Sequence, residues 1–369
     1  MVTGVLGLVA LLVCGQQFNE DFEQGLGAWQ VIDRTGITVR ASAAAAHRGD
    51  AGLRIVDTET VFEDGTAGAV QKNFTESSRT FYTRLWFRLV DRSDPGGGSV
   101  FWSALWERRA GLWSAAHSCQ FDYRSQVMCS DQDVDNAGNV DLTTIDAGVN
   151  VRDGRWRLYE GATLGRGTDA GAAVYAIDGV EVLRRTALHA NTTHFPSLQV
   201  GEVYSYDPGL TCVLDFDDVR FGPTPQPTRF AVAAVEPLFA GECTGLEVTL
   251  TSSLPAPDGG VATRLSAPYA LKLEVNGEVF ADSECTTPAT TPVLSGEALA
   301  LWVKPAAAGA LDVTVRHAEG DLLPGSAALD VGEALPASEG QRGYYSLRCA
   351  TAPGSLVLLA LALRRRRRR

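Results

Sequence analysis

The sequence predicts an all-β protein made of two β-sandwiches. Between residue 18 and Phe221, short runs of alternating apolar and polar residues are separated by Gly, Asp and Asn, a pattern typical of strands and turns. No long stretch repeats apolar residues at the helical period of 3.6. The proline-rich segment 223–229 interrupts the runs, because alternate prolines remove donors that a sheet needs. Strand-like runs then resume at Phe230, so the prolines predict a linker between two domains.

Length and charge limit the function classes. A chain of 369 residues predicts two or three domains, each able to bury a core, and two is the count adopted here. The formal net charge is -12, and removing the six terminal arginines leaves -18 (-12 minus 6). A strongly acidic chain lacks the basic surface that phosphate neutralisation requires, so nucleic acid is excluded as a partner.

The N-terminus predicts export. Residues 1–15 contain the apolar run Val5 to Val13 and end in Cys14 and Gly15, which resembles a signal peptide with small residues at its cleavage site. A lipoprotein signal at Cys14 is the alternative. Export would allow the remaining cysteines to oxidise.

The C-terminus, residues 349–369, contains Cys349, a Pro353-Gly354 break, the apolar run Leu356 to Leu363 and six arginines. Eight apolar residues are far fewer than the roughly 20 that span a bilayer, so a permanent membrane span is not predicted. This order resembles the MYXO-CTERM sorting signal of myxobacterial surface proteins. The resemblance implies a sorting protease, lipidation machinery that modifies Cys349, and display on the outer membrane surface. A disordered basic tail that binds anionic lipid or nucleic acid is the alternative, and residues 334–348 predict a flexible tether.

The first domain carries four sequence pieces in a characteristic order. They are Asp21-Phe22-Glu23, Trp156-Arg157-Leu158-Tyr159, Tyr175-Ala176-Ile177-Asp178-Gly179-Val180 and Leu214-Asp215-Phe216-Asp217-Asp218-Val219-Arg220-Phe221. Together they resemble LamG-like and concanavalin A-like jelly rolls over residues 18–222. Residues 230–333 read as six or seven short strands, which predicts a smaller Ig-like sandwich.

The stretch from Phe101 to Cys129 predicts a hairpin with a buried and an exposed face. If Arg108 to Gly111 forms a turn, Trp106 lies opposite Trp113 and Trp102 opposite His117. Cys119, Phe121, Val127 and Cys129 continue this apolar face, which predicts a core surface more than a sugar-stacking platform. The other face then carries Phe101, Ser103, Leu105, Leu112, Ser114, Ser118, Gln120, Asp122 and Gln126.

The outward face of this hairpin supplies the candidate ligand site. In the proteins that the domain resembles, a glycan binds on the concave sheet face or at its rim. That resemblance selects the face residues Gln120 and Asp122 and the rim residues Glu107, Arg108 and Arg109 as ligand-binding candidates. An ordinary solvated sheet face is the alternative.

Two disulfides are expected. Cys119 and Cys129 lie ten residues apart around a tight turn, and Cys243 and Cys285 fall near strand edges of the second domain. Cys212 is then left unpaired. The local sequence offers no second cysteine pair at the spacing of a zinc site.

An acidic stretch after Cys129 is the candidate metal site. Calcium requires six to eight oxygen ligands, and alternate carboxylates in a loop supply several. The pattern departs from an EF-hand, since its sixth position is Asn136 and its twelfth Leu142. A solvated acidic turn is the alternative to a calcium site whose ligands are Asp131, Asp133, Asp135, Asn139 and Asp141.

No catalytic set emerges from the sequence. The alternating Glu and Asp residues of retaining glycosidases are absent, and so is a Gly-x-Ser-x-Gly nucleophile elbow. A lyase could use His117, Gln120, Tyr123 and Arg124, yet His117 and Gln120 point to opposite faces of a regular strand. The leading hypothesis is an exported, surface-anchored, non-enzymatic protein that binds extracellular polysaccharide or matrix. A polysaccharide lyase or hydrolase and a structural or adhesion protein of the envelope are the alternatives.

Overall fold

The computed structural model describes residues 18–58, 68–74, 79–93, 98–109, 112–134, 140–165, 168, 170–188, 197–205, 209–254 and 268–334. At 106–109, 112–115, 134 and 205 it describes the backbone alone. The fold is all-β, as predicted. The helical segment among these residues is a single 3₁₀ turn, Ala43–Ala45. No helix in this part of the chain has the length and apolar character to cross a bilayer.

The first sandwich contains fifteen strands. In chain order they are β1 (Phe18–Glu20), β2 (Gln30–Ile32), β3 (Ile37–Ser42), β4 (Gly52–Asp57), β5 (Gly68–Asn73), β6 (Phe81–Ser93), β7 (Val100–Arg109), β8 (Leu112–Phe121), β9 (Gln126–Val134), β10 (Val140–Asn150), β11 (Arg157–Leu164), β12 (Gly171–Ile177), β13 (Val180–Leu188), β14 (Ser197–Ser205) and β15 (Thr211–Gly222).

These strands form two antiparallel sheets with jelly-roll connections. Sheet A has the order β13-β12-β11-β6-β15-β4-β3, with β1 also paired to β15. Sheet B has the order β10-β9-β8-β7-β14-β5-β2. Sequential strands are neighbours in the runs β7 to β10 and β11 to β13, whereas β6, β14 and β15 pair with strands that are distant in sequence.

The core lies between sheets A and B and is rich in aromatic rings. Trp102, fully buried on β7, stacks on Phe87 of β6 with ring centroids 4.4 Å apart and on Phe121 of β8 at 5.6 Å. Stacked pairs of this kind add about 0.5–1.5 kcal/mol each beyond the burial of their area. The prediction that Trp102, Cys119, Phe121, Val127 and Cys129 face the core is confirmed, and the side chains of Trp106 and Trp113 lie outside the described residues.

Two β-bulges alter the predicted pairing of the β7–β8 hairpin. The register shifts between Phe101 and Ser103 and again between Leu105 and Trp106. Leu105 therefore lies opposite His117, and Ala115 lies opposite Trp106. The pairings of Trp102 with His117 and of Trp106 with Trp113 are wrong. β7 continues to Arg109 and Arg108 pairs with Trp113, so the two strands are already offset by two residues from the prediction before either bulge is reached.

The bulges also move two residues from the predicted outer face to the inner one. Leu105 belongs to the core between the sheets, and Ser103 lines a small cavity there together with Thr83 and Thr163. Sequence alternation placed Ser103 and Leu105 outward, so that part of the face prediction is wrong. Phe101 stays on the outer side, where it packs beside Ala104.

The second sandwich contains the remaining nine strands. They are β16 (Arg229–Ala234), β17 (Leu238–Phe239), β18 (Thr244–Thr251), β19 (Tyr269–Val275), β20 (Val279–Phe280), β21 (Val293–Leu294), β22 (Ala298–Val303), β23 (Gly309–His317) and β24 (Gly325–Gly332). One sheet has the order β16-β18-β22-β20 and the other β17-β24-β23-β19-β21. Alternate residues of β18 and β23, such as Leu246, Val248 and Val313, fill a separate core.

The second sandwich covers part of the outer face of sheet A. Asp321 reaches from the loop after β23 to Arg84 (Nη2 to Oδ1, 2.8 Å) and to Arg220 (Nη2 to Oδ2, 2.9 Å), and all three side chains are buried. Beside them, Leu254 packs on Tyr82 and Val174. One face of sheet A is therefore occupied partly by protein, whereas the outer face of sheet B lies on the opposite side of the molecule.

Candidate functional site

A row of uncharged side chains crosses the outer face of sheet B. Each member lies directly opposite the next on the neighbouring strand, from β2 through β5, β14, β7, β8 and β9 to β10. Adjacent strands are about 4.8 Å apart, so the row is about 29 Å long. We call it the polar row; its members are Gln30, Gln71, Gln199, Ala104, Ser118, Ser130 and Thr144.

Strand alternation explains why these side chains point away from the core. Val70 and Val200 are fully buried between the sheets, and each directly precedes or follows a glutamine of the row. Cys119 and Cys129 likewise face inward beside Ser118 and Ser130. Because successive strand residues point to opposite faces, the intervening polar residues must face outward.

The side chains in the middle of the polar row are small and buried, whereas those on either side are more exposed. Ala104, Ser118 and Ser130 are small and only 2%, 9% and 7% exposed. Gln199 and Gln71 are half-buried on one side, and Thr144 is exposed on the other. The row thus forms a shallow strip with a floor of small side chains.

Side-chain hydrogen bonds orient the two ends of the row. Gln199 donates Nε2–H to Gln71 Oε1 at 2.6 Å, and Gln71 donates to Asn73 Oδ1 at 2.7 Å. At the other end, the hydroxyls of Ser130 and Thr144 are 2.8 Å apart. Such chains restrict the rotamers of their members and present ordered donors and acceptors on the sheet surface.

A second row runs beside the first and contains an aromatic pair. Tyr204, Phe101, Gln120 and Met128 are consecutive partners on β14, β7, β8 and β9, and Asp146 follows on β10. The rings of Phe101 and Tyr204 meet edge to face, with centroids 6.3 Å apart. Phe101 rests on a small apolar cluster of Ala69, Ala104 and Val203, which supports its ring.

The predicted ligand candidates separate into three groups. Gln120 lies on the outer face of sheet B, half-buried, as its alternation predicts. Asp122 is at the end of β8, where its Oδ1 accepts the backbone N–H groups of Arg124 and Gln126, both at 2.8 Å, and so shapes the turn. Glu107, Arg108 and Arg109 lie on β7 near its end, and their side chains are outside the described residues.

The acidic stretch lies in a paired hairpin where it is described. Asp133 of β9 is the direct partner of Asp141 of β10. Arg185 of β13 donates to the Asp131 carboxylate at 3.3 Å and to the Asp141 carboxylate at 2.7 Å, so a guanidinium joins two of the five proposed ligands. Asp135 and Asn139 lie outside the described residues, and calcium at this hairpin stays a prediction.

The lyase set does not converge. His117 is buried between the sheets, with its two ring nitrogens hydrogen-bonded to Tyr175 and Thr163 and with Asp131 Oδ1 3.7 Å from Nδ1. Tyr123 is 48% exposed in the turn after β8, whereas that imidazole is buried. The histidine therefore has a structural role in the core.

The cysteines pair as the sequence predicts. Disulfides join Cys119 to Cys129 and Cys243 to Cys285, and Cys212 is free and buried. Burial and the nearby carboxylates of Glu202 and Asp57 raise the pKa of the Cys212 thiol, so it stays protonated. Two disulfides indicate an oxidising environment. Cys349 lies outside the described residues, so its lipidation stays a prediction.

A buried trio of ligand-type side chains was not predicted. Asp57, Glu202 and Cys212 have donor atoms within 4.8 Å of one another, the one such group among the described residues. Asp57 and Cys212 are partners in sheet A, and Glu202 reaches them from a bulge of β14. The three side chains are buried, and Glu202 is on β14, the strand that also carries Gln199.

Sequence reasoning missed much of the polar row. Gln30, Gln71 and Gln199 come from three strands far apart in the chain, and only the strand order brings them together. A weak local signal exists, since Gln71 and Gln199 each stand next to a valine that faces the core. Their mutual contact depends on which strands pair, and alternation within one strand does not specify that.

Comparisons with known proteins find distant structural similarity and no family. No family model matches the chain, and no curated protein matches it. An endo-β-1,4-glucuronan lyase from the fungus Trichoderma reesei has 17% identity and a TM-score of 0.48, covering 56% of this chain and 95% of that one. Domain 4 of AbnA, a GH43 extracellular arabinanase from Geobacillus stearothermophilus, has 15% identity and a TM-score of 0.34, covering 57% and 93%. The botulinum neurotoxin type G receptor binding domain has 9% identity and a TM-score of 0.34, covering 78% and 67%.

Proposed function

We propose that this protein is an exported, non-enzymatic binding protein that holds an extracellular polysaccharide on the outer face of sheet B. The observation that carries the proposal is the polar row, in which six of the seven strands of sheet B present an amide or a hydroxyl. A linear polymer lying along the row would meet polar groups over about 29 Å. A row of that length fits an extended chain better than a small molecule, for which enclosed pockets are usual.

The chemistry of the two rows matches that of a sugar polymer. Amide side chains both donate and accept, and hydroxyls do the same, so they can pair with the hydroxyl groups of a sugar. The rings of Phe101 and Tyr204 offer apolar surface beside these polar groups. Aromatic side chains with a nearby polar partner suit ligands that have both an apolar and a polar side.

The proposed location at the cell surface rests on the two termini. Residues 1–15 would direct export, and the segment 349–369 would be exchanged for a lipid on Cys349. The disulfides support an oxidising location. In this arrangement the second sandwich holds the first away from the anchor.

The test uses the full chain in affinity electrophoresis through gels that contain bacterial, algal or plant polysaccharides. Gln199→Ala should weaken retention about three- to tenfold, the effect of one or two lost hydrogen bonds. Phe101→Ala should also weaken retention. Gln226→Ala, a glutamine of the linker, is the matched control and should bind like the wild type.

Two results would contradict this function. Equal retention of the Gln199 and Phe101 variants and the wild type would show that the ligand binds elsewhere. Release of reducing or unsaturated sugar ends during the incubation would reveal an enzyme, either a lyase or a hydrolase. The thermal unfolding of each variant is recorded alongside, so that a misfolded variant is not mistaken for a binding defect.

A further inference from the structure

The rows on sheet B also specify the charge of the polymer. We infer that the ligand is a neutral polysaccharide, one whose sugars carry hydroxyl groups and no carboxylate or sulfate. This inference rests on the proposed function and names the class of ligand for the same face.

The first support is the kind of polar group that the face presents. Three glutamines, two serines and a threonine make up the polar row around one alanine, and Gln120 and Met128 continue the second row. Neutral amides and hydroxyls bind other hydroxyls without desolvating a charge. Recognition of carboxylate and sulfate groups in proteins instead favours Arg and Lys, whose hydrogen bonds to anions are charge-assisted.

The second support is how the amides are used. The chain from Gln199 to Gln71 to Asn73 fixes the direction in which each amide points, because every link needs a donor facing an acceptor. A neighbouring pair of sugar hydroxyls offers a donor and an acceptor close together. A carboxylate offers only acceptors, so it could accept from the N–H groups of these amides but could not donate to their carbonyl oxygens.

The third support is electrostatic. Asp146, exposed at the end of the second row, adds a negative charge to the face itself. The whole chain has a formal charge of -12. A polyanion approaching this face would be repelled within a Debye length of about 8–10 Å at physiological salt.

The experiment compares two polymers that differ only in charge. A soluble neutral glucan and the same glucan oxidised to the carboxylate at C6 are offered to the full chain, at 50 and 500 mM NaCl, roughly the salt range over which surface charges are screened. The neutral glucan should be retained with a Kd that changes less than about twofold between the salts, and the oxidised form should bind at least about tenfold more weakly at low salt.

The outcomes separate this inference from the function on which it rests. Stronger binding of the oxidised glucan, lost at high salt and abolished by Gln199→Ala, would overturn the neutral class while the sheet B face stayed the binding site. Binding of neither glucan, nor of other neutral polysaccharides such as galactomannan and xylan, would overturn both. Gln71→Glu gives a second reading: the added carboxylate should weaken binding of the neutral glucan only a few-fold and remove any residual binding of the oxidised one.

Discussion

Asp217 shows how burial and a neighbouring charge change one carboxyl group. It follows a core residue at the end of the first sandwich, and its Oδ2 accepts the backbone N–H groups of His47 at 2.8 Å and Arg48 at 3.1 Å. Burial, and then the negative charge of Asp218, raise the pKa of Asp217 to about 7, although these N–H donors lower it. The carboxyl group therefore titrates near neutral pH while it holds the loop after β3.

The raised pKa of Asp217 makes the stability of the fold pH-dependent. Between its ordinary pKa of 3.8 and about 7, the folded protein keeps a proton that the unfolded chain has released. The free energy of unfolding should therefore fall as the pH rises through this window, by at most about 1.4 kcal/mol per pH unit. Asp217→Asn should flatten this slope in urea unfolding measured at pH 5, 6 and 7.

The control for this experiment is Asp330→Asn, at an exposed position on β24. That variant should keep the wild-type slope. A slope that is the same in Asp217→Asn and in the wild type would show that another group gives the pH dependence.

At the scale of elements, the two disulfides close loops of different length. Cys119 and Cys129 are 10 residues apart and join facing residues of a β-hairpin, whereas Cys243 and Cys285 are 42 apart. The entropy lost by the unfolded chain grows with the length of the closed loop, which gives about 3 kcal/mol for the first and about 4 kcal/mol for the second.

Removing the longer crosslink should therefore cost more. Cys243→Ala with Cys285→Ala is expected to lower the free energy of unfolding of the second sandwich by about 4 kcal/mol. Guanidinium unfolding with and without a reductant measures this. The wild type under reducing conditions should approach the double variant, and no difference between the variant and the oxidised wild type would contradict the expectation.

The strands also show which contacts could be predicted from the sequence alone. Alternation placed Cys119 opposite Cys129 because that hairpin is short and regular, and it identified Trp102 as a core residue. It failed for Ser103 and Leu105, since each bulge depends on how neighbouring strands pack. The partners of Gln199 could not be predicted at all, because β5 and β14 are separated by more than one hundred residues and meet only through the global strand order.

For the whole molecule, the contact between the sandwiches is built of buried charges and apolar groups. Asp321 would have a raised pKa from burial alone, yet Arg84, Arg220 and Arg48 hold the pKa of its carboxyl below the ordinary value. Removing one partner of a buried ion pair typically costs about 3–5 kcal/mol, since the other charge stays buried without compensation. The second sandwich therefore contributes buried contacts to sheet A of the first sandwich.

A chain that ends at Gly222 tests this contact. It would leave Arg84 and Arg220 without Asp321 and expose Tyr82 and Val174 to water. The shortened protein should therefore unfold at a lower temperature than the first sandwich in the full chain, and it should self-associate through the uncovered face. Calorimetry and size-exclusion chromatography report the two effects. An unchanged unfolding temperature in a monomeric product would mean that the sandwiches are energetically independent.

The position of β15 governs when the first sandwich can form. This last strand of the sandwich pairs with β1, β4 and β6, so it lies inside sheet A with partners that were synthesised long before it. Contacts over such sequence distances slow folding, because the chain must close large loops before any pairing is gained. A nascent chain whose residues Thr211–Gly222 have not yet left the ribosome lacks a strand in the middle of sheet A. The first sandwich therefore cannot complete sheet A until the chain has been made as far as Gly222, about three fifths of its 369 residues.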